Sequence, residues 1–127
     1  MRNIFILPTS NISRLHTYSY NRLALSSLAL SWNEAKHVYV TSDEPIVKGD
    51  YYVHDDIVRK AGYEISIDTA KKIVLTSDPT LVKDGVQETD NEFLEWLVDN
   101  QLSYQIKIER LETNRPYLIN FKERYLE

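Results

Sequence analysis

The sequence predicts a single α+β domain in which a small curved sheet, antiparallel or mixed, carries one well-defined helix. Its 127 residues suit one domain, because two domains would each be too small to bury a stable core. Short β-branched and aromatic runs recur along the chain and end at turn-forming residues. Only residues 91–100 combine helical periodicity with a capping signal. The same pattern also allows a half-open barrel.

The strands are predicted from runs of apolar residues. Asn3–Leu7 has the composition of a strand, and Arg22–Leu30 is apolar without a periodicity that distinguishes strand from helix. Val38–Val40 and Ile73–Leu75 are continuous apolar runs, which is typical of strands buried on both faces. Glu64–Asp68 alternates between polar and apolar residues and predicts a half-exposed strand.

Turn residues place the next elements. Asp78 followed by proline predicts a capped helical turn over Pro79–Lys83 that ends near Gly85. Lys48–Asp50 predicts a turn, after which Tyr51–His54 resumes as a strand.

The best-signalled helix is Asn91–Asn100. Thr89 stands three residues before Glu92, which predicts a capping box, and a broad apolar stripe predicts docking on the sheet. Beyond it, residues 104–109 alternate as a strand, and the aromatic-rich tail at 114–127 predicts a short helix.

The chain contains one internal similarity. Residues 37–48 align without a gap on residues 72–83, 35 positions later, and both segments contain Thr-Ser-Asp after an apolar run. Two copies are too few for a solenoid, so a duplicated strand-and-turn unit within one domain of residues 1–127 is the prediction. Chance reuse of the same strand ending is the alternative.

Composition excludes several classes of function. The chain has no cysteine, which excludes disulfides, thiolate metal sites and a cysteine nucleophile. The apolar run before Pro8 is too short for a signal peptide or a membrane span, so we expect a cytoplasmic protein without membrane contact. The net charge is −4, and residues 84–103 contain six acidic side chains and no lysine or arginine, which disfavours duplex nucleic acid.

Six segments carry a resemblance to known sequences: Asn3–Thr9, Ser13–Leu15, Val38–Asp43, Lys48–Tyr52, Lys71–Gln87 and Asp90–Val98. Together they resemble a family of small uncharacterised proteins from bacteriophages and bacterial mobile elements. The resemblance covers most of the chain in order and is weakest over residues 17–34 and from Arg110 onward. It implies a phage or prophage product acting in the bacterial cytoplasm, and it brings no known activity, cofactor or catalytic residue.

The two Thr-Ser-Asp turns are the sharpest candidate site. If duplication brings Asp43 and Asp78 together, the paired carboxylates could hold a cation or act as acid and base. Ordinary backbone turns explain the same residues without chemistry. Ser42 and Ser77 lack the glycine context of a nucleophile elbow, so we predict no catalytic residue.

Other candidates are a histidine and two tyrosines. His54 and Asp56 would share one side of a continuing strand, as two metal ligands could, although a solvated strand end is the commoner case. Tyrosine is favoured at recognition surfaces, and adjacent tyrosines on a strand face opposite ways. The candidates for ligand or partner binding are Thr41, Ser42, Asp43, Tyr51, Tyr52, His54, Asp56, Thr76, Ser77 and Asp78.

These observations predict a non-enzymatic accessory protein that engages a host protein or a small ligand, with inhibition of a bacterial defence system as one such role. No cofactor and no metal is expected. A structural virion or assembly component, which would form homo-oligomers, is the first alternative. A small hydrolase or nucleotide-processing enzyme is the second, and it requires Asp43, Asp78 or His54 to converge in one pocket.

Overall fold

A computed structural model describes residues 3–18, 22–30 and 35–100. The strands are β1 (Asn3–Pro8), β2 (Ser13–Tyr18), β3 (Arg22–Leu30), β4 (Lys36–Ser42), β5 (Tyr51–His54), β6 (Ile57–Lys60), β7 (Lys71–Thr76) and β8 (Gln87–Glu88), and the helices are α1 (Pro79–Lys83) and α2 (Asn91–Asn100). The predicted α+β class is confirmed, as a curved, mostly antiparallel half-barrel sheet with one main helix. The strand expected at 104–109 and the tail at 114–127 lie outside the described residues.

The main sheet is organised around β4 and β7. Its strand order is β1-β4-β7-β5-β6, and β8 also pairs with β7 in the parallel direction. A second antiparallel pair, β2 and β3, joins the start of β4 through a bridge between His16 and Ala35 and a hydrogen bond from Ser13 Oγ to the Lys36 carbonyl (2.6 Å). The segment Arg22–Leu30, ambiguous in sequence, is therefore a strand.

Two apolar clusters cover the two faces of the sheet. The first lies among the sheet, β2, β3 and α2, and the second lies on the opposite face, where α1 packs. Helix α2 therefore docks on the sheet, as its apolar stripe predicts. The first cluster consists of Ile4, Ile6, Leu15, Leu23, Val38, Val40, Leu75, Phe93, Leu94 and Leu97, and the second of Phe5, Leu7, Tyr39, Val53, Ile73 and Leu81.

Because of a bulge at Val74, β7 contributes side chains to both clusters. Val40 pairs with Leu75 and Thr41 pairs with Ile73, so Val74 is an extra residue in β7. Without it, Ile73 and Leu75 would face the same side of the sheet, two residues apart on one strand. With it, Leu75 enters the first cluster and Ile73 the second.

The pairing of β4 with β7 also relates the two similar segments. Val40 and Leu75 occupy equivalent positions in the alignment of 37–48 with 72–83, and they are direct cross-strand partners. A local two-fold axis therefore lies between Val40 and Leu75 and relates the two strands. The segments differ beyond their strands, because the first continues into an irregular loop and the second into α1.

Two predictions of local structure are wrong. Glu64–Asp68 forms only an isolated bridge, between Ile65 and Ile46, because the facing segment at 44–49 is itself irregular and offers no strand to pair with. Thr89 does not cap α2: the Phe93 N–H donates to Asp90 Oδ1 (2.7 Å), and Thr89 Oγ1 is buried without a partner. Asp90 occupies the cap position because the helix begins at Asn91, one residue later than a Thr89 cap requires.

Helix α1 agrees with its prediction. Asp78 caps it by accepting from the Thr80 N–H (3.0 Å), proline stands in its first turn, and Gly85 follows its end. Among the described residues, neither helix has the length and apolar character needed to cross a bilayer.

The position of the cap can be tested by substitution. Asp90→Ala removes the acceptor for the Phe93 N–H and is expected to lower the free energy of unfolding by about 1 kcal/mol. Thr89→Val, which replaces an unpartnered buried hydroxyl with a methyl group of similar shape, should cost less or stabilise. Urea unfolding of both variants measures the difference. A larger loss of unfolding free energy for Thr89→Val would show that Thr89 caps the helix after all.

Candidate functional site

The second Thr-Ser-Asp turn fastens β7 to β4. Thr76 Oγ1 donates to the Val38 carbonyl (2.7 Å) and accepts from the Asp78 N–H (3.1 Å). Ser77 Oγ accepts from the Val38 N–H (3.0 Å), and the Ser77 N–H donates to the Val38 carbonyl (3.1 Å). These hydroxyls therefore complete the backbone hydrogen bonding at the strand end. This is the structural role of an ordinary backbone turn, and it involves no catalysis or ligand binding.

Asp78 lies at the centre of a buried polar cluster. Besides capping α1, it accepts a hydrogen bond from the Tyr39 hydroxyl to Oδ2 (2.7 Å). His37 Nδ1 is 3.7 Å from the same oxygen, which is an ion-pair distance but too long for a hydrogen bond.

The cluster shifts the pKa values of both hydrogen-bonded partners. Burial by itself would raise the pKa of Asp78, but the interactions from His37, Tyr39 and the Thr80 N–H outweigh it and lower the pKa to about 2. Burial, with the hydrogen bond to Asp78, raises the pKa of Tyr39 far above its usual value. The carboxylate is therefore charged and the phenol neutral at physiological pH.

The first Thr-Ser-Asp turn makes different contacts. Thr41 Oγ1 donates to the Asn3 carbonyl (3.4 Å), and Ser42 Oγ donates to Glu44 Oε2 (2.9 Å). Asp43 accepts from Lys71 Nζ (2.9 Å) at the protein surface.

The two turns do not converge. Because β4 and β7 are antiparallel, Asp43 and Asp78 follow strand ends at opposite ends of the pair. The roughly six residues of strand between them correspond to about 20 Å, which is beyond the reach of a shared reacting centre. The hypothesis of paired carboxylates is wrong, because antiparallel pairing separates the equivalent ends of the two copies.

The proposed pairing of His54 with Asp56 also fails. The strand does not continue: β5 ends at His54, and Asp55 and Asp56 form a two-residue hairpin turn with φ of 53° and 61° before Ile57. The contact of His54 Nδ1 is with Asp55, at 3.8 Å. Among the described residues, no three His, Cys, Asp or Glu side chains are grouped so as to hold a metal ion.

The two tyrosines of β5 face opposite ways, as predicted. Tyr52 is buried in a third apolar cluster with Ile46, Ala61 and Ala70. Tyr51 is half-buried, and its hydroxyl donates to Asp84 Oδ2 (2.6 Å). Of the ten residues singled out from sequence, Tyr51 alone lines the crevice described next.

The crevice lies against the middle of β7. Strand β5 pairs with β7 at Lys71 and Lys72, whereas β8 pairs with Leu75 and Thr76 on the same side. Strands β5 and β8 both begin near the middle of β7 and run away from each other. On the side of β7 opposite β4, no described strand therefore pairs with Ile73 and Val74. The result is an opening of about 350 Å³, lined by residues 49–51, 72–74 and 84–87.

Two glycine turns form its sides. Gly49 and Gly85 have φ of 95° and 104°, which L side chains rarely adopt. Each glycine allows the chain to turn sharply into the following strand, and open space surrounds both. The turns follow directly on the two similar segments, as Lys48-Gly49-Asp50 and Lys83-Asp84-Gly85. The turns that follow the two similar segments therefore meet at the crevice, whereas the two Thr-Ser-Asp turns do not meet.

Charged groups of both signs surround the opening. Lys72 Nζ lies 3.7 Å from Asp50 Oδ2, and Lys60 Nζ lies 3.3 Å from Asp84 Oδ2. The hydrogen bond from Tyr51 and the nearby Lys60 hold the pKa of Asp84 below its usual range. The same hydrogen bond raises the pKa of Tyr51, so the phenol remains a donor.

Sequence reasoning missed most of this crevice. The sequence indicates Asp50, Lys72 and the two glycines only as turn or strand residues, and Asp84 only as part of the acidic segment 84–103. The alignment of 37–48 with 72–83, extended by two positions, would have indicated the two glycines and the two aspartates, because it adds Gly49-Asp50 opposite Asp84-Gly85. Lys72 carries no such signal.

A second cavity of about 400 Å³ lies on another part of the surface. Its lining includes the apolar Phe5 and Val53, the carboxylates of Asp55, Asp56 and Asp68, and Lys71. It differs from the crevice in its excess of carboxylates.

No family model matches the chain, and no curated protein or solved structure shows significant similarity to the chain.

The charge of Asp78 predicts a specific loss of stability in acid. Its folded pKa of about 2 lies below the unfolded value, so its contribution is present above about pH 4 and is lost as the pH falls toward 2. The shift corresponds to about 2 kcal/mol. Asp78→Asn, which retains a capping oxygen, should lose this part of the pH dependence.

Denaturant unfolding over this pH interval provides the measurement, and substitution of the exposed Asp68 by Asn is the control. An Asp78→Asn variant with the wild-type acid profile would show that the buried cluster does not hold this charge.

Proposed function

We propose that the chain is a non-enzymatic binding protein that holds a small ligand in the crevice. The observation that supports this proposal is the convergence of the two glycine turns on the interrupted edge of β7. Ligand sites are concave, with an apolar lining and a few placed polar groups. The crevice combines Ile73, Val74 and Val86 with two carboxylates and one ammonium group, within a volume at the lower end of the range for ligand pockets.

The biological setting proposed with it is that of a phage or mobile-element accessory protein in the bacterial cytoplasm. Its support is the sequence resemblance described above. A protein of this kind could inhibit a bacterial defence system by sequestering a small host molecule, which requires a binding site and no catalytic group.

A host protein is the second candidate partner. The segments 44–49 and 61–67 are joined by a hydrogen bond from the Ile65 N–H to the Ile46 carbonyl (3.1 Å), and they expose Val47, Tyr63 and Ile67. Scattered exposed apolar residues are common on protein surfaces, so the small ligand is the better-supported proposal. No observation favours a virion component, and the separation of Asp43 from Asp78 removes the geometry on which the hydrolase hypothesis depends.

The proposal can be tested by NMR on the 127-residue chain. The low-molecular-mass fraction of a bacterial lysate is added to ¹⁵N-labelled protein, and amide shifts are mapped. Binding in the crevice should move the amides of Gly49, Val74 and Gly85 more than those of α2. Shifts confined to other surfaces, or no shifts at all, would contradict the proposal.

A matched pair of variants in β8 tests the location. Gln87 lines the crevice, whereas Glu88, the next residue, points to the opposite face of the strand and does not. Gln87→Trp should fill the opening and reduce the affinity for the lysate fraction that shifts the crevice amides by about tenfold or more. Glu88→Trp should leave that affinity unchanged. Equal effects of the two substitutions would place the binding site elsewhere.

A further inference from the structure

We propose that the crevice selects a small zwitterion, that is, a ligand with both an ammonium and a carboxylate group, such as an amino acid or a short peptide with free ends. This inference rests on the proposed function and names the ligand class for the same site. It follows from the sign, position and unused bonding capacity of the charged groups around the opening.

The opening presents both signs of charge from three separate segments. Asp50 comes from the first glycine turn, Asp84 from the second, and Lys72 from β7 between them. Lys60 of β6 contacts Asp84 from outside the lining. The lining therefore carries two carboxylates and one ammonium group, and a second ammonium group contacts it, so the crevice differs from the acidic second cavity and from a phosphate site.

Each carboxylate has an oxygen available for a ligand. Both hydrogen bonds to Asp84, from Tyr51 and Lys60, go to Oδ2. Asp50 uses its own Oδ2 to accept from the Val47 N–H (2.9 Å) and to contact Lys72. Among the contacts of the described residues, Oδ1 of each carboxylate therefore remains as an acceptor, and a ligand ammonium group supplies up to three donors.

Lys72 offers the complementary group. Its Nζ is 3.7 Å from Asp50 Oδ2, which is beyond hydrogen-bond distance. The Lys72 side chain is only 28% exposed, so its ammonium is positioned but retains donors for a carboxylate. A ligand that places its carboxylate at Lys72 and its ammonium at Asp50 or Asp84 would pair with one group of each sign.

Ligands with charge of a single sign fit less well. A phosphate or other dianion would approach Lys72 but would also lie beside two carboxylates, and a simple cation would face Lys72. The volume of about 350 Å³ and the apolar lining residues Ile73, Val74 and Val86 favour a small ligand with a short apolar side chain.

The test compares dialanine with its two blocked forms, N-acetyldialanine and dialanine amide. Amide shifts of the 127-residue chain are followed during titration up to about 10 mM, which covers weak binding. Dialanine should move the Gly49 and Gly85 amides, and each blocked form should bind at least about tenfold more weakly. Equal binding of a blocked form would overturn the proposal.

Neighbouring lysines of β7 provide the matched variants. Lys72 lines the crevice, whereas Lys71 pairs with Asp43 and lines the other cavity, although the two side chains are similarly exposed. Lys72→Met should weaken dialanine binding by about tenfold, and Lys71→Met should not. Denaturant unfolding of both variants identifies a loss that is due to unfolding. Asp50→Asn combined with Asp84→Asn, which removes both candidate partners of the ligand ammonium, then provides the second test, with the same expected loss of dialanine affinity.

The outcomes separate the two proposals. If the lysate fraction shifts the crevice amides and dialanine does not, the zwitterion inference is wrong and the binding function stands. If neither shifts them, both proposals fail. If dialanine binds but Lys72→Met, shown to be folded, has no effect on it, the assignment of the ligand carboxylate to Lys72 is wrong.

Discussion

The pairing of β4 with β7 is the constraint on which the rest of the fold depends. Its bulge at Val74 sends Ile73 and Leu75 to opposite faces, so one strand contributes to both apolar clusters. Bulges also bend a strand and disrupt its ladder. The bulge coincides with the point where β5 and β8 part along the other side of β7, and the crevice opens there. One local irregularity thus accompanies both the two-sided core and the candidate site.

The same pair of strands is held by a polar strand ending. Thr76 and Ser77 satisfy backbone groups of Val38, and Asp78 joins α1 to Tyr39 in a buried setting. A buried carboxylate is costly unless its hydrogen bonds compensate for lost hydration. Here three interactions do so, which explains why small oxygen-bearing residues occupy this position. Their chemistry is used within the fold and is not available to a substrate.

Local signals in the sequence predicted much of the fold. Apolar runs identified β1, β4 and β7, the Asp-Pro pair identified α1, and the periodic stripe identified α2. The candidate site was not predictable in the same way, because it depends on which strands are neighbours. Equivalent aspartates in a repeat can lie together or far apart, and antiparallel pairing puts Asp43 and Asp78 at opposite ends. The convergence of Gly49 and Gly85 likewise arises from strand order, which no local pattern records.

The residues that stabilise the strand ending therefore differ from those that line the crevice, which are mostly in the turns that follow the repeated segments. The contacts of Thr76, Ser77 and Asp78 are short and mostly buried, so their loss leaves unsatisfied groups in the interior. The pairs around the crevice are partly exposed, and that of Lys72 with Asp50 is long, at 3.7 Å. Exposed ion pairs contribute only about 0–1 kcal/mol, so exchanging such a partner for a ligand costs the fold little. Groups that are held in place but weakly paired are suited to binding, and around the crevice they lie in β7 and in the two glycine turns.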